Sequence, residues 1–109
     1  MAKTERYILA EDGKTPIECD NLTLWGKWFE GAERRVARWN SPDGDMVSTV
    51  FLGLDHNFDG GKPLLWETLT QSKDIADEKM ERYETYEEAI NGHERAIIAV
   101  ETKLKAKNA

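Results

Sequence analysis

Residues 34–54 decide the fold, and they read RRVARWNSPDGDMVSTVFLGL. The turn-forming residues 40–45 separate two runs rich in β-branched and aromatic side chains, a pattern typical of an antiparallel hairpin. If the second run forms a strand, both of its faces are mostly apolar. One face carries Val47, Thr49 and Phe51, and the other carries Val50, Leu52 and Leu54. A strand of this kind is expected at the centre of a sheet, with both faces covered.

Shorter strands are predicted on both sides of this hairpin. Residues 7–10 and 16–19 flank a turn at Gly13, and because glycine accepts the positive φ of a tight turn, they indicate two short strands. Residues 64–70 are a further strand candidate. Residues 79–83 fit either a strand that pairs back with it or a turn of helix.

Two helices are predicted from capping residues followed by apolar spacing. Asp20 or Asn21 can accept hydrogen bonds from the first turn of a short helix that ends near Gly31. Its apolar residues at helical spacing are Leu22, Trp25, Trp28 and Phe29. Thr85 and Glu88 form a T-x-x-E capping box that begins a longer helix. The apolar stripe of that helix comprises Tyr86, Ala89, Ile90, Ile97, Val100 and Leu104.

Together these elements predict a single α+β domain over residues 1–109. We expect an antiparallel sheet of about four to six strands, with a short helix in the N-terminal half and a long C-terminal helix packed on it. Residues 103–109 are rich in lysine, and we expect them to fray from the end of the long helix.

The acidic charge of the chain is concentrated in its middle. The 109 residues carry 21 acidic and 15 basic side chains, a net charge of −6, and residues 43–88 alone carry 12 acidic and 4 basic ones, a net charge of −8. Because nucleic-acid binding depends on neutralising phosphates, we expect no direct contact with DNA or RNA.

Composition also bears on location and on cofactors. No apolar run is long enough to span a bilayer and no apolar signal segment follows Met1, so we expect no membrane partner and a cytoplasmic location. Cys19 is the single cysteine and can form no internal disulfide. Because no phosphate-binding or dinucleotide-binding glycine pattern occurs, we predict no cofactor.

The densest group of potential metal ligands is DHNFDGG at residues 55–61. Asp55, Asn57 and Asp59, followed by glycine, match the opening of calcium-binding loops, but position twelve of such a loop is Trp66 instead of glutamate. The interpretation that we favour is a turn in which the Asp and Asn side chains bond to their own backbone and the glycines take positive φ.

A transition-metal site is the alternative for these ligands. Two imidazoles and a carboxylate could activate water in a small hydrolase, and the residues that such a site would join are Asp55, His56, Glu67 and His93. His93 falls on or beside the apolar stripe of the long helix, where a hydrogen-bonded core histidine is the commoner explanation. Glu67 is likewise expected to pair with an arginine such as Arg35 or Arg82.

Trp25, Trp28 and Trp39 are the candidates for a protein-binding surface. A small domain cannot bury all its large aromatic side chains, so we expect Trp28 or Trp39 to be partly exposed. Aromatic side chains rimmed by acidic groups are typical of protein-binding patches, whereas core packing is the alternative for each residue. No catalytic residue is assigned.

Four segments together resemble small proteins of tailed phages and prophages, a group with no established activity. They are residues 19–30, 47–58, 63–68 and 81–89 with 92–95, and the run VSTVFLGLDHNF at residues 47–58 is the most distinctive. The resemblance implies expression in the cytoplasm of an infected bacterial cell. It also implies binding to a host or phage protein, for example a component of host defence or of replication. A virion component and a homodimer stay open as alternatives.

Overall fold

The computed structural model describes residues 5–72 and 79–108. Within these residues, two short strands form one antiparallel sheet, four strands form a second, and a short and a long helix complete an α+β fold. The elements in chain order are β1 (Tyr7–Leu9), β2 (Pro16–Glu18), α1 (Leu22–Gly31), β3 (Arg35–Asn40), β4 (Met46–Phe51), β5 (Trp66–Gln71), β6 (Lys79–Tyr83) and α2 (Tyr86–Asn108). The predicted fold class is therefore confirmed.

The turn between β1 and β2 is held by Asp12. Its Oδ2 accepts a hydrogen bond from the Thr15 hydroxyl at 2.6 Å, and its Oδ1 accepts from the backbone N–H groups of Lys14 and Thr15 at 2.8 and 2.9 Å. Led by the Thr15 hydroxyl, these hydrogen bonds favour the charged carboxylate and lower the pKa of Asp12 to about 2. Gly13 follows with φ 70°, which glycine adopts without a steric penalty.

Asn21 caps α1, as one of the two predicted capping residues. Its Oδ1 accepts a hydrogen bond from the backbone N–H of Leu24 at 3.0 Å, which satisfies one donor of the first turn. The indole Nε1 of Trp25 donates to the carbonyl oxygens of Tyr7 and Gly53, both at 3.1 Å. This shared donor ties the helix to β1 and to the segment that follows β4.

The strands β3 to β6 form a meander, in which each strand pairs with the next one along the chain. The pairing of β3 with β4 is irregular between Arg35 and Ala37, where the register shifts. The pairing of β5 with β6 has no such shift over its five residue pairs. Residues 79–83, which the sequence left ambiguous, are therefore a regular strand at one edge of the sheet.

One face of this sheet carries the core. The side chains of Val47, Thr49 and Phe51 on β4 and of Trp66 on β5 are completely buried on it. Both helices lie on this side: α2 bonds to Thr49 through His93, and Trp28 of α1 stands edge-on to Phe51 with ring centroids 5.9 Å apart. These contacts place the hydrophobic core between the sheet and the two helices.

The opposite face of β4 differs from its prediction. Ser48 and Val50 are only half-buried there, and no helix in residues 5–72 and 79–108 packs against them. Coverage of β4 is thus confirmed for one face only. Apolar alternation identified the central strand, but it could not show that both helices lie on the same side.

The predicted capping box at Thr85 begins α2 but forms only in part, because the Glu88 carboxylate bonds to the Thr85 hydroxyl instead of the Thr85 backbone N–H. The backbone N–H of Glu88 donates to Thr85 Oγ1 at 3.1 Å, and the Thr85 hydroxyl donates to Glu88 Oε1 at 3.0 Å. The helix extends to Asn108 and so includes residues 103–108 of the segment that we expect to fray. The fraying of that segment stays a prediction.

Gly92 lets α2 lie very close to β6. The ring of Tyr83 is 4% exposed and occupies the space where a Cβ at Gly92 would lie. Burial raises the pKa of the Tyr83 hydroxyl, because the charged phenolate would lose its hydration. A glycine inside a helix costs about 0.5–1 kcal/mol relative to alanine, and this close contact accounts for its presence.

Candidate functional site

The loop after β4 is organised by its own side chains. Asp55 Oδ1 accepts hydrogen bonds from the backbone N–H groups of Asn57 at 2.7 Å and Leu64 at 3.1 Å. Asn57 Oδ1 accepts from the N–H of Asp59 at 3.1 Å, and Gly60 takes φ 84°. The predicted bonding of the Asp and Asn side chains to nearby backbone is confirmed, but of the two glycines only Gly60 takes the predicted positive φ.

His56 is oriented at the same loop by a backbone carbonyl. Its Nδ1 lies 2.9 Å from the carbonyl oxygen of Leu54, so Nδ1 carries the proton and donates. The ring centroid of Phe58 lies 6.0 Å from the imidazole, and the Phe58 side chain is 86% exposed. The structure thus places this imidazole beside an exposed aromatic ring.

Glu67 and His93 lie on opposite faces of the sheet. Glu67 points away from the core and pairs with Arg82, with Oε2 and Nε 3.0 Å apart, which confirms the predicted arginine pairing. His93 approaches the core face from α2. Because the sheet separates the two side chains, they cannot share one metal ion.

The metal centre of the hydrolase alternative does not form from the predicted ligands. Asp55 holds the loop backbone, Glu67 pairs with Arg82, and His93 is bonded inside the core. Among residues 5–72 and 79–108, no group of three or more His, Cys, Asp or Glu side chains could hold a metal ion. The chemistry of these side chains made a shared metal ion conceivable. In the fold, however, they point in different directions and do not meet.

His93 belongs to a buried chain of hydrogen bonds. Its Nδ1 lies 2.8 Å from Thr49 Oγ1, which lies 2.6 Å from Thr68 Oγ1. Burial lowers the pKa of His93, because the imidazolium would lose its hydration. The prediction of a hydrogen-bonded core histidine is confirmed, and the neutral ring joins α2 to the two inner strands.

Asp45 is a buried carboxylate that the sequence analysis did not single out. It is 1% exposed, and its oxygens accept hydrogen bonds from the hydroxyls of Ser41 at 2.7 Å and Ser72 at 2.5 Å. Ser41 and Asp45 flank the tip of the β3–β4 hairpin, while Ser72 follows β5. The carboxylate therefore fixes the hairpin tip to the end of the neighbouring strand.

The three tryptophans predicted for protein binding are half-buried, and one lies apart from the other two. Trp25 and Trp28 are on α1, with Trp28 against Phe51 at the end of β4. Trp39 on β3 pairs with Val47, four residues before Phe51, which is a separation of about 13 Å along a strand. The expected partial exposure of Trp28 or Trp39 is confirmed.

α1 presents an apolar surface that sequence analysis recognised only in part. Leu22 is 64% exposed and Leu24 is 55% exposed, and none of the ten residues of the helix is fully buried. Leu24 and Trp28 are four residues apart, so they lie next to each other on one flank. The α1 surface is defined here as Leu22, Leu24, Trp25 and Trp28. The sequence carries a signal for this exposure. Leu22 and Leu24 are two residues apart and therefore lie on different sides of the helix, so they cannot both face the core.

A second concave region, which sequence analysis missed, lies between β6 and α2. This β6–α2 groove has a volume of about 430 Å³. Three cations and one carboxylate line it, together with small or apolar side chains and two threonines of β5. The defining residues are Thr68, Thr70, Lys79, Met80, Glu81, Arg95, Ala96, Ala99, Val100 and Lys103. The elements that form it are far apart in the chain, so no local motif marks it.

Comparisons with family models, curated proteins and solved structures gave no match for this chain. In the part of the chain that the structure describes, neither helix combines the length and the apolar character needed to cross a membrane. The α1 surface and the β6–α2 groove are the two candidate binding sites of the described residues.

Proposed function

We propose that this chain is a phage-type accessory protein that binds a host or phage protein through the α1 surface. The observation that carries the proposal is a helix with five large apolar side chains, none of which is fully buried. The resemblance of the sequence to phage proteins supports expression in an infected bacterial cell. Binding, and not bond-making, is the role that such a surface suits.

Exposed Leu24 supplies part of the driving force for association. Burying a leucine side chain contributes about 1.5–3 kcal/mol, so covering the exposed part of Leu24, on the flank that it shares with Trp28, would contribute about 1–1.5 kcal/mol. At 1.4 kcal/mol per factor of ten, that is about tenfold in affinity. Trp25 and Trp28 on the same helix are of the residue type that most often dominates binding energy at protein interfaces.

The surface is also held in one conformation before any partner arrives. Asn21 caps the helix, and the Trp25 indole is fixed by two backbone carbonyls. Arg34 lies over the ring of Phe29, with its guanidinium carbon 3.8 Å from the ring centroid, and secures the far end. A rigid surface loses little conformational entropy on binding, which raises its affinity.

The test is to identify and reconstitute a complex. The tagged full chain is expressed in a bacterial host during phage infection, co-purified proteins are identified by mass spectrometry, and binding of each purified candidate is measured by calorimetry. We expect Leu24→Lys to weaken the complex about tenfold or more, because a charge replaces a buried apolar contact. Thr23→Lys is the matched control, since Thr23 is exposed on α1 but lies outside the α1 surface.

Circular dichroism and thermal melting establish that both variants remain folded. The proposal is contradicted if no candidate binds the purified chain, or if Leu24→Lys and Thr23→Lys affect the complex equally. Detection of the chain in purified phage particles at fixed stoichiometry would instead support the virion alternative.

A further inference from the structure

The two edges of the four-stranded sheet differ in how open they are to another strand. At the β3 edge, the register shift between Arg35 and Ala37 disturbs the ladder, a feature that protects edges from further pairing. The β6 edge pairs with β5 in unbroken register, and on its outer side it meets no other strand of the described residues. Its regular backbone is therefore suited to pairing with an added strand.

α2 lies beside this edge without filling the space next to it. Ala96 and Ala99 carry only methyl groups on the helix side of the β6–α2 groove. On the strand side, the lining includes Thr68 and Thr70 of the neighbouring strand β5. The space of about 430 Å³ can receive alternate side chains of a peptide whose backbone pairs with β6.

The charges at the groove select an acidic occupant. Arg95 and Glu81 face each other across it at 3.5 Å, which leaves the charges of Lys79 and Lys103. Within the part of the chain that the structure describes, neither lysine has a carboxylate within ion-pair distance. The groove is thus locally cationic in a chain whose net charge is −6.

We propose that the β6–α2 groove binds an extended acidic segment of a partner protein, which adds to β6 as a fifth strand of the sheet. The backbone of β6 supplies the pairing, the small side chains of α2 accept apolar residues, and Lys79 and Lys103 meet carboxylates. A second β6 edge does not match this groove, because that strand carries Lys79 and Arg82 with the single carboxylate Glu81 and is therefore not acidic. The site is separate from the α1 surface, so the two proposals stand or fall independently.

The test uses the full chain and an array of short peptides. Valine and threonine alternate with one varied residue type in each peptide, which is glutamate, glutamine or lysine. Affinities are measured by fluorescence anisotropy, and binding is located from backbone amide shifts in ¹⁵N spectra. We expect the glutamate peptides to bind best, with shifts in Lys79–Tyr83 and in the facing turns of α2.

Charge-reversal variants make the assignment specific. Lys79→Glu/Lys103→Glu is expected to weaken the glutamate peptides about tenfold. Lys27→Glu/Lys62→Glu changes the net charge equally outside the groove, and we expect less than a twofold effect. No binding in the array, no preference for glutamate, or amide shifts away from β6 would each overturn the proposal. Tighter binding of a single-stranded oligonucleotide, or a dimer that dissociates when Lys79 is reversed, would overturn it in favour of those occupants.

Discussion

α1 and α2 both carry apolar residues at helical spacing, yet only α2 buries residues completely. Ala89, His93 and Val100 are buried against the sheet, whereas none of the ten residues of α1 is. α2 meets the strands with small residues such as Ala89 and Gly92, which allow close approach. α1 meets the protein with tryptophans, which keep its axis away from the strands. The size of the contacting side chains, and not amphipathicity alone, decides how deeply each helix is buried.

The largest expected effect comes from adding one methyl group to each helix. Gly92→Ala should lower the free energy of unfolding by about 2–3 kcal/mol, because the new Cβ overlaps the buried Tyr83 ring. Gly26→Ala should raise it by about 0.5–1 kcal/mol, since nothing lies within 4 Å of its Cβ position and alanine is the better helix former. Urea denaturation of the two variants measures both changes.

A double variant tests the stated cause. In a Tyr83→Leu background the ring is gone, so adding Gly92→Ala should cost much less than in the parent protein. The explanation that side-chain size decides how deeply each helix is buried would be refuted if Gly92→Ala were neutral, or if Gly26→Ala were as destabilising as Gly92→Ala.

An intermediate effect is expected from the polar contact between α2 and the sheet. His93→Gln should lower the free energy of unfolding at pH 8 by about 1–2 kcal/mol. The reason is that Thr49 loses the imidazole that completes its chain of hydrogen bonds with Thr68. Burial lowers the pKa of His93, so below pH 6.5 the unfolded state binds a proton that the folded state resists. Stability should therefore fall as the pH drops through 6.5 and level off below the pKa of the folded protein.

Chemical denaturation between pH 8 and pH 5 measures this dependence. The part due to His93 should be absent in His93→Gln and should persist in His56→Gln, since His56 bonds to a loop carbonyl outside the core. Equal pH profiles for the two variants would mean that His93 is not the group responsible.

Local features of the fold could be predicted from the sequence because their causes are local. Asn21 and Thr85 each bond to a backbone N–H three residues ahead, and Asp55 bonds to one two residues ahead. Such contacts form within one turn of chain, so the residue types and their spacing suffice to predict them. The burial of His93 was also predictable, because its position relative to the apolar residues of α2 follows from helical spacing.

The candidate sites could be predicted only in part, because they depend on how distant elements meet. Nothing near Glu67 in the sequence shows that its side chain points away from α2, on the face of the sheet opposite to the one that His93 approaches. The exposure of Leu24 follows from where α1 lies, and the β6–α2 groove exists because α2 crosses the edge strand. Each of these is set by tertiary packing, which no single segment contains.

The smallest effect, about 1 kcal/mol, comes from removing one cap from each helix. Asn21→Ala removes the acceptor of the Leu24 N–H, and Thr85→Ala removes the acceptor of the Glu88 N–H. Native-state hydrogen exchange measures the opening free energy at each helix separately. We expect Thr85→Ala to reduce protection in α2 by about 1 kcal/mol and to leave α1 unchanged.

This asymmetry follows from which residues unfold together. If α1 opens while the rest of the protein stays folded, α2 is helical in both the closed and the open state. Removing the α2 cap then destabilises both states equally and leaves the opening free energy of α1 unchanged. The amides of α2 open only in global unfolding, which includes α1, so Asn21→Ala should reduce protection in both helices. Reduced protection of α1 in Thr85→Ala would show that the two helices open as one unit. The difference in burial between α1 and α2 would then not be matched by a difference in how they unfold.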